Sequence, residues 1–436
     1  MRKARTHSTG AGREAPLSAA RQTDALVVGA GPTGLVAALS LAKAGLSVEV
    51  IDEAWRQAGH SYALALHPRS LNLLDELGVA SQATESGRKL PSLTLLAGDE
   101  PRQSLRCGAR DDRFPYLLSL PQSGLERLLT DALARLGVKV RWSHRLASLE
   151  PDGDAVVATV ERLEKESGGY GVAHTEWAVA ATQSFRAGFV IGADGHRSLV
   201  RRALGTPLDE AGPSQVFAIF ECLAPNAGDE ERLVLREDSV NALWPLPDGR
   251  ARWSLEVAAP EVSAADRYKG RLTTMLGERF FPHLDESRTR DLLAERASWF
   301  ASRAGEIGWS IEVRFERRLA ASFGRGRIWL AGDAAHLTGP AGMQSMNAGL
   351  AEAHQLATSI ARIRRGQAGL DELEAYGRER LADWGFLLGL RGGLRPNAGA
   401  SDFVARNAAR LLPCLPATPA DLPPLAAQLG LEVDRG

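Results

Sequence analysis

A short apolar run followed at once by three spaced glycines narrows the possible folds of this chain more than any other feature. In ALVVGAGPTGLVAALSLAKAG, residues 25–45, a predicted strand ends in Gly29, Gly31 and Gly34, and a helical apolar spacing follows. The next apolar segment, SVEVID, is predicted to be a second strand. Strand, glycine turn, helix and strand within about 30 residues predict a βαβ unit in a parallel sheet.

Each glycine of this GxGxxG pattern has a distinct physical role. Gly29 permits the tight turn, Gly31 lets the backbone approach a pyrophosphate, and Gly34 lets helix and strand pack closely. Pro32 and Thr33 lie at the helix N terminus, where free N–H groups and the helix dipole favour a phosphate. The pattern therefore predicts a dinucleotide site and does not distinguish NAD from FAD.

A carboxylate closes the second predicted strand. Asp52 follows Gly29 by 52 − 29 = 23 residues, where it can accept hydrogen bonds from a ribose diol. Glu53, its neighbour, is included in the predicted cofactor site. The alternative is an exposed aspartate at a strand end with no binding role.

Composition and charge exclude several classes of protein. The formal net charge of the 436 residues is −1, which gives no electrostatic basis for binding nucleic acid or an anionic membrane. Three separated cysteines predict neither a disulfide framework nor a metal site. Without a membrane-spanning apolar run or a signal peptide, we expect no membrane insertion and a cytoplasmic location.

The order of predicted elements indicates two interleaved domains in an α/β fold. One is a Rossmann-type domain with a parallel sheet, and the other is an inserted α+β substrate domain built on a mostly antiparallel sheet. The expected bounds are 23–88, 107–205 and 321–392 for the first domain and 89–106 and 206–320 for the second, with a disordered tail at 1–22 and a Pro-rich segment at 393–436 that wraps the surface or is partly disordered.

Two later glycine segments decide between the dinucleotides. GADGHRSLVRRALG, residues 192–205, contains Asp194 and Gly195, and GRIWLAGDAAHLTGPAGMQSMNAGLAEA, residues 326–353, contains Gly332 and Asp333. With the first motif, these segments resemble the three fingerprints of the class A flavoprotein monooxygenases, which have the para-hydroxybenzoate hydroxylase fold. The resemblance extends over residues 24 to 390 and implies FAD as cofactor, with NAD(P)H as a transient electron donor.

The resemblance also implies roles for individual residues. Asp52 would bind the adenosine ribose, and Asp333 a ribityl hydroxyl of FAD. Gln122, in LLSLPQSGLERLL, would contact FAD, although an ordinary residue at a helix start is the alternative. Asp194 and Gly195 would lie near the pyrophosphate and serve both FAD and the nicotinamide donor, although Asp-Gly is also a common turn sequence.

The chain departs from the family at one cofactor position. SYALALHPRSLNLL places Tyr62 where the family usually has an arginine that helps to bind the pyrophosphate. A tyrosine donates one hydrogen bond and carries no positive charge. Either the backbone and the helix N terminus hold the pyrophosphate, or Arg56 or Arg69 substitutes.

The third fingerprint is predicted to form the wall and charge environment of the flavin ring. The helix that starts near Met343 would direct its positive end towards the reduced ring. Met343, Gln344 and Ser345 are bulkier and more polar than the glycines that the resemblance leads us to expect. The residues predicted to line the ring are Pro340, Gly342, Met343, Met346 and Asn347.

We identify three candidates for a direct role in catalysis: Pro340, Trp244 and His336. His336 belongs to the GDAAH string, for which a structural role is the alternative. Trp244 lies in the predicted hairpin LWPLPDGRARW, which we expect to face the ring, and Trp244 and Trp253 could instead be core residues of the sheet.

The resulting hypothesis is a monooxygenase of secondary metabolism. It would use NAD(P)H and O2 to insert one oxygen atom, through a C4a-hydroperoxyflavin, into a largely apolar, aromatic or polycyclic small molecule. The rivals are an FAD reductase or dehydrogenase of the same fold and a non-catalytic dinucleotide-binding redox sensor. The expected oligomeric state is a monomer or a homodimer.

Overall fold

The computed structural model describes residues 20–56, 63–109, 111–168, 174–258, 273–276, 279–282 and 284–436. The helices in these ranges are α1 (Pro32–Lys43), α2 (Pro68–Glu76), α3 (Ala80–Ser86), α4 (Gln122–Arg135), α5 (Leu199–Ala203), α6 (Glu286–Arg296), α7 (Ser298–Ala301), α8 (Gln344–Arg364), α9 (Asp371–Leu387), α10 (Asp402–Leu411) and α11 (Leu422–Gln428). The strands are β1 (Arg21–Val28), β2 (Val48–Ile51), β3 (Ala65–Leu66), β4 (Arg88–Leu90), β5 (Ser92–Ala97), β6 (Glu100–Arg106), β7 (Leu117–Ser119), β8 (Val140–Arg141), β9 (His144–Asp152), β10 (Ala155–Gly168), β11 (His174–Gly192), β12 (Leu208–Leu223), β13 (Glu230–Leu235), β14 (Val240–Pro245), β15 (Arg250–Val257), β16 (Thr273–Leu276), β17 (Arg279–Pro282), β18 (Ile307–Ala320), β19 (Gly324–Arg325), β20 (Ile328–Leu330), β21 (His336–Leu337), β22 (Gly393–Pro396) and β23 (Leu431–Asp434).

The first sheet is built around the predicted βαβ unit. Strand β1 pairs in parallel with β2 on one side and with β11 on the other, and β8 and β20 extend the parallel part. Strands β9 and β10 form an antiparallel hairpin on the side of β11 that faces away from β1, and β19 pairs with β20 at the edge opposite β8. The apolar run of β1 is buried from Ala25 to Val28 because helices cover a parallel sheet on both faces.

The second sheet is almost entirely antiparallel. Its order is β21-β18-β12-β15-β14-β13-β5-β6, and only the neighbours β13 and β5 run in parallel. The predicted hairpin LWPLPDGRARW is formed by β14, a 3-10 turn at Pro247–Gly249, and β15. The predicted fold class, a parallel-sheet domain with an inserted and mostly antiparallel one, is confirmed.

The two faces of this second sheet pack against different layers. Val240, Ala242 and Trp244 join the large core that contains the first sheet and its helices. Leu243 and Trp253 point to the opposite face, where they join a separate core with α6 and α7. The hairpin therefore directs Trp244 towards the unit built on the first sheet, here named the cofactor unit after its glycine fingerprints, and Trp253 away from it.

One edge of the second sheet is formed by the third fingerprint itself. Strand β21 pairs with β18, so that His336 lies opposite Leu319 and Leu337 lies opposite Arg318. Main-chain hydrogen bonds thus connect the Gly332–Asp333 turn to the sheet of the other unit.

Two predicted boundaries shift slightly in the structure. Strand β1 begins at Arg21, two residues inside the range predicted as a tail, and residues 1–19 lie outside the described residues. Strand β4, which includes Lys89 and Leu90, pairs with β7 in a small sheet beside the first unit. The part of the 89–106 segment that joins the second sheet is therefore β5 and β6.

The C-terminal segment contributes to the core, in contrast to the expected surface wrapping or disorder. Leu411, Leu412 and Leu415 are buried in the same core as β1 and α1. A Cβ on Gly342 would lie 2.8 Å from a carbonyl oxygen of this segment, that of Leu415, and the Gln344 Nε2 atom donates to the carbonyls of Leu412 and Leu415. The segment thus packs against the start of α8.

Candidate cofactor and substrate site

The first and second fingerprints are in direct backbone contact. Gly29 has a φ of 104°, and a Cβ there would lie 2.2 Å from the carbonyl oxygen of Ala193, while a Cβ on Gly34 would lie 1.9 Å from the carbonyl oxygen of Gly29. A Cβ on Gly31, in contrast, would meet no atom within 4 Å. The turn is closed on its protein side and open at Gly31, where no side chain caps the N terminus of α1.

The third fingerprint meets the first at Thr33. A Cβ on Gly332 would lie 2.7 Å from the Thr33 Oγ1 atom, and one on Gly349 would lie 2.8 Å from the same atom. Gly332 also has a φ of 65°, which favours glycine. The three fingerprints, which are up to 320 residues apart (349 − 29), therefore converge on one turn.

Asp52 holds the glycine turn in place. Its Oδ2 atom accepts a hydrogen bond of 2.6 Å from the N–H of Ala30, and its Oδ1 atom accepts one of 2.8 Å from the N–H of Ala54. Burial raises the pKa of Asp52. Each carboxylate oxygen has a second lone pair that can accept from a ribose hydroxyl. Glu53 is exposed beside it, and Tyr62 lies outside the described residues.

Asp194 uses its carboxylate to organise the second fingerprint. Its Oδ1 atom accepts from the Ser198 hydroxyl at 2.5 Å, and its Oδ2 atom accepts from the N–H groups of Leu199 at 2.6 Å and Val200 at 3.2 Å. Burial raises the pKa of Asp194. These contacts favour the turn-aspartate alternative for its side chain, whereas a Cβ on Gly195 would meet only open space.

A hydrogen-bonded network of side chains lies behind the third fingerprint and ends at Asp333, which is exposed. The Ser345 hydroxyl donates to the Asp333 Oδ1 atom at 2.6 Å, and the His336 Nδ1 atom lies 3.3 Å from the same hydroxyl. The His336 Nε2 atom is 2.9 Å from the Glu352 Oε2 atom, and Trp384 donates to the Glu352 Oε1 atom at 2.7 Å. The ring of His336 also stacks on that of Trp384, with centroids 3.7 Å apart.

The protonation state of Glu352 in this network follows from the groups that donate hydrogen bonds to it. Burial alone would raise the pKa of Glu352, but His336 and the donors from Gly332 and Trp384 outweigh it and lower that pKa. The carboxylate of Glu352 can only accept, so His336 Nε2 donates to it. The His336 Nδ1 atom is within hydrogen-bonding distance of the Ser345 oxygen. The fully buried His336 is thus engaged through both nitrogens, which favours its structural role.

The side chain of Asn347 makes all its hydrogen bonds within the protein. The Oδ1 atom accepts from the N–H of His67 at 2.8 Å and from Ser70 Oγ at 2.7 Å, and the Nδ2 atom donates to the carbonyls of Ala65 and Met343. Asn347 therefore fixes the start of α8 against β3 and α2. Its side chain thereby positions the predicted ring wall.

The remaining predicted wall residues lie around the start of α8. Pro340 and Gly342 are buried and Met346 is half-buried. Met343 is the N-cap residue of α8 and has a φ of 50°, a left-handed conformation that costs a non-glycine residue about 1–2 kcal/mol. No side chain caps the N terminus of α8. A glycine at residue 343 would avoid this strain.

Gln122 lies at a helix start and Trp244 on a sheet surface, as the sequence predicted. Gln122 opens α4 and donates through Nε2 to the Glu126 Oε1 atom at 2.7 Å. Trp244 is completely buried on the face of the second sheet that is directed towards the cofactor unit.

His67 is a site residue that sequence reasoning missed. It lies 3.0 Å, through Nε2, from the carbonyl oxygen of Gly342. Because a carbonyl only accepts, Nε2 carries the hydrogen and Nδ1 is an unprotonated acceptor. Burial lowers the pKa of His67 to about 3. The sequence signal was its place directly before Pro68, which starts α2.

The described ranges contain neither a metal-binding cluster nor a membrane-spanning helix. Within them, no group of three or more His, Cys, Asp or Glu side chains could hold a metal ion. Among the helices that the structure describes, none is long and apolar enough to cross a bilayer.

The site fits a dinucleotide with a long polar chain. It combines the open turn at Gly31 and two helix N termini without side-chain caps with the carboxylates of Asp52 and Asp333.

Residues 22–383 match the family described as "FAD binding domain". The 6-methylpretetramide 4-monooxygenase of Streptomyces rimosus is 32% identical over 369 residues, covering 83% of this chain and 60% of that protein. The pentachlorophenol 4-monooxygenase of Sphingobium chlorophenolicum is 28% identical, covering 81% and 61%. The chain thus spans less than two thirds of the length of either relative.

Solved structures support the same assignment. The p-nitrophenol 4-monooxygenase of Pseudomonas putida has the same fold, with a TM-score of 0.69 at 22% identity and 94% of each chain covered. The anhydrotetracycline hydroxylase of Streptomyces rimosus gives a TM-score of 0.63 at 25% identity, with 90% of this chain and 69% of that chain covered. The family resemblance predicted from the three fingerprints is confirmed. The chain therefore belongs to the FAD-binding family of class A flavoprotein monooxygenases, with the para-hydroxybenzoate hydroxylase fold.

Proposed function

We propose that the protein is an FAD-dependent monooxygenase that uses NAD(P)H and O2 to insert one oxygen atom into an aromatic or polycyclic, largely apolar small molecule. The observation that carries this proposal is the convergence of three fingerprints on one open turn, in a fold whose second sheet presents Trp244 and other apolar side chains towards the same core. The names of the relatives, which are monooxygenases of phenolic and polycyclic compounds, support the same reaction class.

The proposed cofactor contacts follow the geometry of the fingerprints. The turn formed by Gly29, Gly31, Pro32, Thr33 and Gly34 would hold the pyrophosphate. Bound FAD would supply hydride acceptance and oxygen activation, which protein side chains alone cannot provide.

The other cofactor contacts lie on either side of that turn. Asp52, with Glu53, would hold the adenosine ribose, and Asp333 the ribityl chain. Pro340 and the start of α8 would form the ring wall, excluding water and directing the positive end of a helix dipole at the ring.

One assay separates the proposed monooxygenase from its nearest rival, an FAD reductase of the same fold. The chain has a single GxGxxG motif, which is consistent with an NAD(P)H donor that binds transiently. We expect NAD(P)H oxidation with O2 consumption and a product heavier by one oxygen atom, about 16 Da. A panel of phenolic and polycyclic aromatic compounds, with product masses recorded, tests this expectation. NAD(P)H oxidation without any oxygenated product would favour the reductase.

Asp333→Ala and Asp52→Ala are expected to weaken FAD binding in different ways. Asp333 is exposed, so its loss should lower FAD affinity about tenfold and leave the melting temperature of the apoprotein unchanged. Asp52 holds two backbone N–H groups, so its loss should lower both FAD affinity and apoprotein stability, the latter by about 1–3 kcal/mol. Equilibrium dialysis with FAD and thermal unfolding of apoprotein measure the two effects. Unchanged FAD affinity in both variants would contradict the assignments.

We further propose that the partners are the small-molecule substrate and O2, that the protein is a monomer or a homodimer, and that it works in the cytoplasm. Cys107, Cys222 and Cys414 are all free and buried, which fits a reducing compartment.

A further inference from the structure

The second sheet contains a buried acid without a hydrogen-bond partner. Glu231, on β13, is fully buried, and neither of its carboxyl oxygens has a partner among the residues that the structure describes. Burial raises the pKa of Glu231 well above its ordinary value, so this carboxyl is neutral. A buried polar group without a partner costs several kcal/mol, and such groups concentrate at functional sites.

The register of the strands shows which way Glu231 points. Leu233 and Leu235 alternate with it along β13 and belong to the core that includes the cofactor unit. Glu230, its neighbour, points to the other face and bonds Thr94 and Arg232. Glu231 therefore faces the cofactor unit.

A second unpartnered polar atom lies on the neighbouring strand. Arg232 pairs with Leu243 in the antiparallel β13–β14 ladder, and continuing that register by one residue places Glu231 opposite Trp244. Side chains of directly opposed residues share a face and lie next to each other. The Trp244 Nε1 atom is buried and, within the described residues, also has no acceptor.

The surroundings of this pair connect it to the cofactor site. Burial raises the pKa of the Cys107 and Cys414 thiols, and Glu231 lies near both. Cys414 lies in the segment that packs against Gly342 in the proposed ring wall. The acid and the indole thus lie on the face of the second sheet that is directed towards that wall.

We propose that Glu231 and Trp244 form a specificity subsite that binds the carbonyl or phenolic oxygen of an otherwise apolar ring system. The indole N–H donates one hydrogen bond to this oxygen. The neutral carboxyl offers a donor and an acceptor, which suit a carbonyl and a phenol respectively. A ligand oxygen would satisfy groups that the protein alone leaves unsatisfied, whereas a ring without oxygen would not.

This subsite rests on the proposed monooxygenase function, because it defines which ring compounds occupy the substrate site. It assigns Glu231 and Trp244 a role in recognition and requires no covalent step from either. A carboxylated ligand would gain least, since the subsite offers no positive charge.

The test compares two ligands that differ by one oxygen, 1-naphthol and naphthalene. Calorimetric titration of FAD-loaded protein without NAD(P)H measures each affinity. For 1-naphthol, Glu231→Leu and Trp244→Phe are each expected to lower the affinity about tenfold, whereas naphthalene affinity changes less than about twofold. Glu231→Gln, which keeps a donor and an acceptor, is expected to retain 1-naphthol binding within about threefold. Glu230→Gln is the matched control and is expected to leave both affinities unchanged.

Thermal unfolding adds a readout that separates recognition from structure. Glu231→Leu removes an unpartnered buried acid, so its melting temperature is expected to exceed that of the wild type. Equal losses for both ligands, or no loss for 1-naphthol in Glu231→Leu, would overturn the subsite. Wild-type protein that takes up no FAD would refute the proposed function instead, and repeating the titrations on apoprotein keeps the two results distinct.

Discussion

Gly29→Ala protein is expected to purify without FAD and to be less stable than the wild type by about 3 kcal/mol or more. The added Cβ would lie 2.2 Å from the carbonyl oxygen of Ala193, where both groups belong to backbone that cannot rotate away. The φ of 104° adds strain for any residue with a side chain. The β1–α1 turn must therefore separate from the end of β11, which removes the pyrophosphate cradle.

Gly31→Ala is the matched control for that substitution. Its Cβ would meet no protein atom within 4 Å, so the apoprotein should unfold at the wild-type temperature. The methyl group would instead occupy the space in which a pyrophosphate approaches the turn, and FAD affinity should fall. Visible absorption of the purified proteins and thermal unfolding of the apoproteins measure both effects. Yellow Gly29→Ala protein, or a marked loss of stability in Gly31→Ala, would contradict this account of the turn.

Glu352→Leu is expected to destabilise the fold by about 3 kcal/mol or more, since it leaves the buried His336 Nε2 atom without its acceptor. The N–H groups of Trp384 and Gly332 lose their acceptor at the same time. FAD affinity should also fall, because the same hydrogen-bond network orients Ser345 and Asp333. Urea unfolding and FAD titration are the measurements.

A double variant tests whether the unpaired polar group left on His336 is the cause. Replacing both Glu352 and His336 with leucine removes both members of the pair together, so this protein should be more stable than Glu352→Leu alone. A double variant at least as unstable as the single one would point to packing instead.

The same pair predicts how stability depends on pH. The pKa of Glu352 is lowered in the folded protein, so its contribution is complete above the ordinary value of about 4.5 and is lost as pH falls through the lower folded value. Wild-type protein should therefore lose more stability between about pH 5 and pH 3 than Glu352→Leu does.

The glycine fingerprints could be predicted from the sequence because each one is local. The spacing of Gly29, Gly31 and Gly34 is itself the physical requirement of the turn, and the adjoining apolar run identifies the strand. The hairpin around Pro247 was predictable for the same reason, since turn residues lie between two alternating strands.

Contacts between distant segments were not predictable from one sequence. His67 and Asn347 are hydrogen-bonded across 280 residues, and neither residue type signals such a partner by itself. The packing of Leu412 and Leu415 into the core was hidden by the prolines around them, which are equally typical of a surface segment. Glu231 carried a weak signal, since it occupies an inward position in the alternation with Leu233 and Leu235.

The pairing of β21 with β18 connects the two units through main-chain hydrogen bonds. A tilt of the second sheet at this edge would displace the main chain of His336 and Leu337. The same short strand continues from the turn that presents Asp333, three residues before His336. A substrate bound on the second sheet and the proposed ribityl contact at Asp333 would therefore be connected by only a few residues of main chain.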